Sequence, residues 1–105
     1  MRIALTFNQK RSSSEAEAEF DSLETVNAIA RMLASLGHVV TPVEVTRPVE
    51  NIVGELRRVA PDLVFNMAEG TRGTFREALV PALCEQLGLA NTGSSASVLA
   101  LCMDK

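Results

Sequence analysis

The sequence has 105 residues and a mass of 11.3 kDa. This length suits one domain that buries about 65% of its unfolded surface, and it excludes two independent domains. Hydrophobic residues make up 47% and charged residues 22%, so we expect the chain to fold. A net charge of -3 and the absence of Trp and Tyr argue against nucleic acid as a partner, because the chain offers neither general attraction for phosphates nor a platform for stacking bases.

The amino terminus shows no targeting or membrane-spanning pattern. Its apolar run turns polar at Asn8, which is too early for a signal peptide and far below the roughly 20 residues of a membrane span. We therefore expect no membrane partner and a cytoplasmic location.

Cysteine and histidine do not form a metal-binding pattern. Cys84 and Cys102 lack a Cys-x-x-Cys spacing, and His38 is the only histidine. We expect both thiols to be reduced and buried within helices. His38 follows Gly37 and is interpreted as a residue at a helix end rather than as a ligand.

The first part of the chain predicts a strand and a long helix. The apolar run Ile3 to Phe7 suits a short buried strand. Ser14 and Glu17 form a possible capping box that would open the helix, and Leu36 and Gly37 would close it. The apolar positions that indicate this helix recur at spacings of three and four: Leu23, Val26, Ala30 and Leu33.

The next part predicts a second strand and a second helix. Valines from Val39 to Val45 flank Pro42, which predicts a strand with the proline at an edge or near its start. Pro48 suits the first position of a helix that ends at Pro61.

The second half begins with the run Asp62 to Asn66, which is typical of a central strand buried on both faces. Thr74 would open a third helix that ends at Gly88. Because Pro81 lacks an N–H and disfavours helical geometry in the preceding residue, we expect a kink or a restart there.

A short strand at Leu89 to Asn91 and a helix from Gly93 to Leu101 complete an order in which strands and helices alternate. This order predicts an α/β, three-layer, Rossmann-like fold with a parallel sheet of about four strands and helices on both faces. Ligands of such folds bind at the carboxyl ends of the strands. Three loops are expected at that edge: Asn8 to Ser14, Met67 to Thr74 and Thr92 to Ser95.

Two polar segments leave alternatives open. The segment Glu69 to Gly73 contains two glycines but lacks the spacing and the Lys-Ser or Lys-Thr of a Walker loop. It is either a polar surface loop or part of a ligand site. The acidic run Glu15 to Glu24 is either a solvated helix face or a source of ligand-binding carboxylates.

Several short motifs follow one another in the second half of the chain. They include Phe65-Asn66-Met67-Ala68-Glu69-Gly70, Val80-Pro81-Ala82-Leu83, Asn91-Thr92-Gly93-Ser94 and Leu101-Cys102-Met103-Asp104-Lys105. In this order, residues 62 to 105 resemble the first domain of the D-alanine–D-alanine ligase family and its ATP-grasp relatives, especially proteins with a Phe-Asn-x-Ala-Glu-Gly loop. Residues 1 to 61 agree in architecture and in a weak Ala-Glu-x-Glu echo.

The resemblance implies a pre-ATP-grasp domain over residues 1 to 105 and a ligase reaction in the whole enzyme. ATP phosphorylates the carboxylate of one amino acid, and the amine of a second attacks the acyl phosphate to give an amide, ADP and phosphate. The implied cofactors are ATP and Mg2+, bound mainly by central and C-terminal ATP-grasp domains that are absent here. We therefore expect this chain alone to be inactive and to bind neither ATP nor Mg2+. The resemblance also implies that the full enzyme takes part in peptidoglycan synthesis.

The resemblance also implies roles for individual residues, although no complete catalytic set is expected in this chain. Glu17, or alternatively Glu15, would lie near the ammonium of the first substrate, where a charge-assisted hydrogen bond fixes it. Glu69 and Gly70 would face the substrate. Lys105 would reach ATP phosphate oxygens, the alternative being an exposed lysine without that role.

Departures from the dipeptide ligases bear on the substrate. Those enzymes carry a glycine pair and Ser or Thr before the acidic motif, where this chain has Asn8-Gln9-Lys10-Arg11 and three serines. They also carry His-Gly where this chain has Glu69-Gly70. A carboxylate in place of histidine reverses the charge preference at that spot. We therefore expect ligation of an amino-acid-like substrate without assuming D-alanine.

A hypothesis from another class is a freestanding α/β module that binds a small anion or a partner protein and catalyses nothing. It predicts a closed monomer or homodimer. The ligase-domain hypothesis instead predicts a surface for the remaining ATP-grasp domains and leaves a homodimer through that surface open. A response-regulator receiver is disfavoured, because the first strand is not followed by the acidic pair that such a domain uses to hold magnesium.

Overall fold

A computed structural model describes residues 1–9, 22–68 and 78–92. In chain order, its elements are β1 (Arg2–Phe7), α1 (Leu23–Ser35), β2 (Val39–Glu44), α2 (Val49–Val59), β3 (Leu63–Asn66) and α3 (Leu79–Leu87). Strands and helices alternate, as the sequence predicts.

The described strands form a parallel sheet in the order β2-β1-β3. β1 lies in the middle, and its side chains from Ile3 to Phe7 are buried. β2 lies at one edge, which confirms the position expected from Pro42, where an edge strand tolerates the missing N–H.

Helices cover both faces of the sheet. Successive side chains of a strand point to opposite faces. Accordingly, Ala4 belongs to a hydrophobic cluster that includes Ile52 of α2 and Cys84 of α3. Its neighbour Leu5 belongs to a second cluster that includes Val26 of α1. The predicted three-layer α/β arrangement is therefore confirmed.

Within the described residues, the predicted central position of the third strand is confirmed only in part. β3 pairs with β1 on one side, and on the other it meets only an isolated bridge between Val64 and Asn91. Val64 is also the only fully buried residue of β3. A short apolar run cannot distinguish a strand with two neighbouring strands from one with a single strand and a covering helix.

The expected fourth strand at Leu89 to Asn91 is reduced to that bridge. Val64 donates its N–H to the carbonyl of Ala90 at 2.8 Å, and its carbonyl accepts from Thr92 at 2.9 Å. Two residues further along β3, the N–H of Asn66 donates to the Thr92 hydroxyl instead of to a backbone carbonyl. This side-chain contact replaces the next backbone bond of the ladder, so only three strands form within the described residues.

Helix α1 begins later than predicted. Ser22 has extended backbone angles (φ -72, ψ 154), and its hydroxyl accepts a hydrogen bond from the N–H of Thr25. A helix cannot continue through a residue in that conformation. A single helix from Ser14 is therefore wrong, while the capping box of Ser14 and Glu17 lies outside the described residues.

The boundaries of α2 and α3 follow their prolines. Pro48 is the N-cap of α2 rather than its first residue, and its carbonyl accepts from the N–H groups of Asn51 and Ile52. α3 begins at Leu79, so Pro81 lies in its first turn, where a missing N–H breaks no helical bond. The predicted start at Thr74 lies outside the described residues, and Ala78 before Leu79 has helical backbone angles, so the kink or restart expected at Pro81 stays a prediction. The predicted helix from Gly93 lies outside the described residues.

Two glycines provide a matched test of these helix boundaries. Gly88 ends α3 with φ +69, whereas Gly54 lies inside α2, and an added Cβ would meet no atom within 4 Å at either position. Gly88→Ala should therefore lower the free energy of unfolding by about 1 kcal/mol, because only its backbone angle opposes a side chain. Gly54→Ala should raise it by roughly 0.5–1 kcal/mol. Urea unfolding of both variants measures this, and changes of the same sign would contradict the assigned boundaries.

The buried thiol of Cys84 makes the stability of the fold depend on pH. Its thiol is free and buried, as expected, and burial raises its pKa from 9.0 to about 11, with repulsion from Glu85 as a smaller cause. The thiol is protonated in both states below pH 9, so it costs no stability there. Above pH 9 only the unfolded chain loses the proton, which favours unfolding until the folded thiol also ionises near pH 11.

We therefore expect stability to fall by ~2–3 kcal/mol between these two pH values through this one group. Urea unfolding at several pH values, compared with Cys84→Ala, isolates the effect, since the variant lacks the thiol and keeps every other titrating group. Parallel pH profiles for the two proteins would contradict the prediction.

Candidate functional site

The carboxyl ends of the strands meet at one edge of the sheet. β1 ends at Phe7, which is in register with Glu44 at the end of β2. One residue earlier, Thr6 is in register with Asn66 at the end of β3. Because all strands are parallel, the segments that leave them emerge side by side. The candidate site is this carboxyl edge.

A first group of hydrogen bonds, the Asn66 cluster, consists of Thr6, Asn66, Ala68 and Thr92. The Oδ1 atom of Asn66 accepts from the Thr6 hydroxyl at 2.8 Å and from the N–H of Ala68 at 3.0 Å. The N–H of Asn66 donates to the Thr92 hydroxyl at 2.9 Å. One residue thus joins the ends of β1 and β3 to the segment that follows the Asn91 bridge.

A second group, the Glu44 cluster, consists of Asn8, Gln9, Glu44 and Thr46. The Glu44 carboxylate accepts from the N–H of Gln9 at 3.0 Å, from the N–H of Thr46 at 2.9 Å and from the Thr46 hydroxyl. The buried Asn8 amide donates to the same hydroxyl at 3.2 Å. These contacts fasten the residues after β1 to the turn after β2.

The clusters shape the edge, but they do not form a reactive centre by themselves. Their only carboxylate, that of Glu44, accepts three hydrogen bonds within its cluster. No group of three or more His, Cys, Asp or Glu suited to a metal ion occurs among the residues that the structure describes. In the same part of the chain, no helix has the length and apolarity needed to cross a membrane.

Sequence comparison adds a second line of information. A D-alanine–D-alanine ligase of Moorella thermoacetica is 41% identical over 93 residues, which are 89% of this chain and 28% of that protein. Those of Gluconobacter oxydans and Rhizorhabdus wittichii are each 36% identical, over 80% and 89% of this chain and 27% of their own lengths. Over these residues the chain is a homologue of D-alanine–D-alanine ligases. No protein-family model matches it.

The homology confirms the resemblance and widens it. The 93 residues aligned with the Moorella ligase extend far beyond residues 62–105, so sequence similarity reaches into the first half of the chain, where agreement in architecture and a weak echo were expected. The chain spans little more than a quarter of the length of these relatives.

The site residues expected from the resemblance lie outside the described residues: Glu15, Glu17, Glu69, Gly70 and Lys105. The structure describes residues that precede two of these segments. Gln9 belongs to the Glu44 cluster, and Ala68, the residue before Glu69, belongs to the Asn66 cluster.

The three loops expected at the carboxyl edge do begin there, as Gln9, Met67 and Thr92 show through their bonds to neighbouring strand ends. The sequence analysis does not identify the turn after β2. The pattern that could have indicated it is the pair of polar residues Glu44 and Thr46 on either side of Val45, at the end of the second predicted strand.

The Glu44 cluster yields a stability prediction. Glu44→Gln leaves one acceptor oxygen and turns an NH2 group toward a donor, so the free energy of unfolding should fall by about 1–3 kcal/mol. The matched control is Glu55→Gln on α2, where Glu55 contacts Arg58 and Arg47 at the surface and the loss should stay below about 1 kcal/mol. Urea unfolding measures both, and equal losses would show that the Glu44 contacts contribute no more than a surface ion pair.

Proposed function

We propose that this ligase homologue is the N-terminal domain of an ATP-dependent carboxylate–amine ligase and that its carboxyl edge forms part of the substrate site. The observation that carries the proposal is the position of the two clusters at the start of the segments with the expected substrate residues. The homology to D-alanine–D-alanine ligases supports the reaction class.

The proposed reaction has two steps. A carboxylate oxygen of the first substrate attacks the terminal phosphorus of ATP, which forms an acyl phosphate and releases ADP. The amine of the second substrate then attacks the acyl carbon, loses a proton and expels phosphate, which leaves an amide. Such a sequence depends on holding two small molecules in order and orientation.

In this proposal, the carboxyl edge orients the first substrate. Glu17 or Glu15 holds its ammonium, and Glu69 with Gly70 lines the same space after β3. Ammonium is a suitable partner for these carboxylates because the charge-assisted hydrogen bonds leave the reacting carboxylate of the substrate free. The clusters support this role, since their part-buried hydrogen bonds hold the first residues of each segment against the strand ends.

Binding of ATP and Mg2+ is assigned mainly to the parts of the ligase beyond this chain. The described residues do not fit a magnesium site, because they contain no cluster of carboxylates and because the Glu44 oxygens are already bound. Lys105 is proposed to contact ATP phosphates, where a flexible ammonium would offset negative charge. The full enzyme is expected in the cytoplasm.

The proposal is tested on the complete open reading frame that contains this chain. The purified product is incubated with ATP, Mg2+ and a panel of D- and L-amino acids, and ADP release and amide products are measured. We expect amino-acid-dependent ADP release together with an amide. If no amino acid stimulates ADP release and the reading frame lacks an ATP-grasp region, the freestanding binding module replaces the ligase domain.

A variant pair tests the contribution of this domain. Glu69→Gln should raise the KM for the first amino acid by about tenfold or more, because a hydrogen bond between charged groups is lost. Glu50→Gln, at an exposed position of α2, is the matched control and should leave that KM unchanged. Identical KM values in both variants would remove Glu69 from the substrate site.

A further inference from the structure

Asn66 uses only half of its side-chain amide to hold the fold. Its two accepted hydrogen bonds come from the Thr6 hydroxyl and the backbone N–H of Ala68. A backbone N–H can only donate, so the atom facing Ala68 must be the carbonyl oxygen Oδ1 of the amide. The orientation of the amide is thereby determined, and its NH2 group lies on the other side.

The Nδ2 atom of Asn66 has no hydrogen-bond partner within the part of the chain that the structure describes. The residue is half-buried and is the last residue of β3, at the carboxyl edge. An amide donor that is held by its own oxygen is already oriented for a ligand. It loses little side-chain entropy when it binds one.

We propose that Asn66 contacts the substrate and that its Nδ2 donates a hydrogen bond to one carboxylate oxygen of the amino-acid-like substrate, which leaves the other oxygen free to react with ATP. The inference rests on the proposed function, which places that substrate at this edge. A fixed NH2 group is a donor only, so it selects an acceptor and not the ammonium of the substrate. The ammonium at the opposite end is assigned above to Glu17 or Glu15, and an amino acid carries both groups.

A purely structural role of Asn66 makes a different prediction, which allows a decisive test. Asn66→Asp keeps an acceptor oxygen for both Thr6 and Ala68 but replaces the donor with a negatively charged acceptor. A structural role predicts that this variant behaves like the wild type and that only Asn66→Ala is impaired. A substrate contact predicts that Asn66→Asp is impaired as well, because two carboxylates would repel each other.

The experiment measures amino-acid-dependent ADP release by the complete enzyme. We expect kcat/KM for the first amino acid to fall by about tenfold or more in Asn66→Asp, while the KM for ATP changes by less than about twofold. The control is Asn27→Asp, which makes the same charge change at an exposed position of α1, the helix that packs on the Leu5 face of the sheet. Its kcat/KM should match that of the wild type. Thermal unfolding of each variant checks that the fold is kept.

The outcomes separate the two proposals. An active wild-type enzyme with unchanged kcat/KM in Asn66→Asp would overturn the substrate contact and leave the ligase function standing. A wild-type enzyme without amino-acid-dependent ADP release would overturn the ligase function and, with it, this inference.

Discussion

The pairing of β1 with strands on both sides is the constraint on which the rest of the structure depends. Its backbone groups are buried and must find partners in β2 and β3. A slip by one residue would exchange Ala4 and Leu5 between the two hydrophobic clusters, which contain different helices. The register that buries these side chains also places Thr6 beside Asn66 and Phe7 beside Glu44. The geometry of the candidate site is therefore a consequence of core packing.

The two clusters provide hydrogen-bond acceptors for backbone N–H groups that follow the ends of the strands. Where a strand stops, its remaining N–H groups lose the partners that a ladder provides, and leaving them unpaired inside the protein is costly. Here the side chain of Asn66 accepts a hydrogen bond from the N–H of Ala68. The side chain of Glu44 accepts hydrogen bonds from the N–H groups of Gln9 and Thr46. The same contacts hold the first residues of each departing segment. A rigid base beneath variable segments is the usual arrangement of binding sites in α/β folds.

The sequence predicts three features of the fold: the alternation of strands and helices, the helices on both faces of the sheet, and the edge position of β2. These features depend on the spacing of apolar residues and on the position of a proline, which can be read from short stretches of sequence. The start of α1 could not, since the apolar positions from Leu23 to Leu33 do not reveal which of several serines caps the helix. The fourth strand was overestimated because a hydroxyl at Thr92 replaces a ladder bond, and composition does not show this competition. The Glu44 cluster joins residues that are distant in sequence, and only the register of the sheet brings them together.

Stability alone does not explain why the ends of β1 and β3 carry Thr6 and Asn66. A buried hydrogen-bonded pair contributes a net ~1 kcal/mol, and replacing both partners by apolar groups of similar shape is often nearly neutral. Leu5 and Val64 show that apolar residues fill these strands well. What an apolar pair cannot do is hold the N–H of Ala68 and orient an NH2 group at the carboxyl edge. The polar pair is therefore better explained by the direction that it imposes on the following segment and on the amide of Asn66.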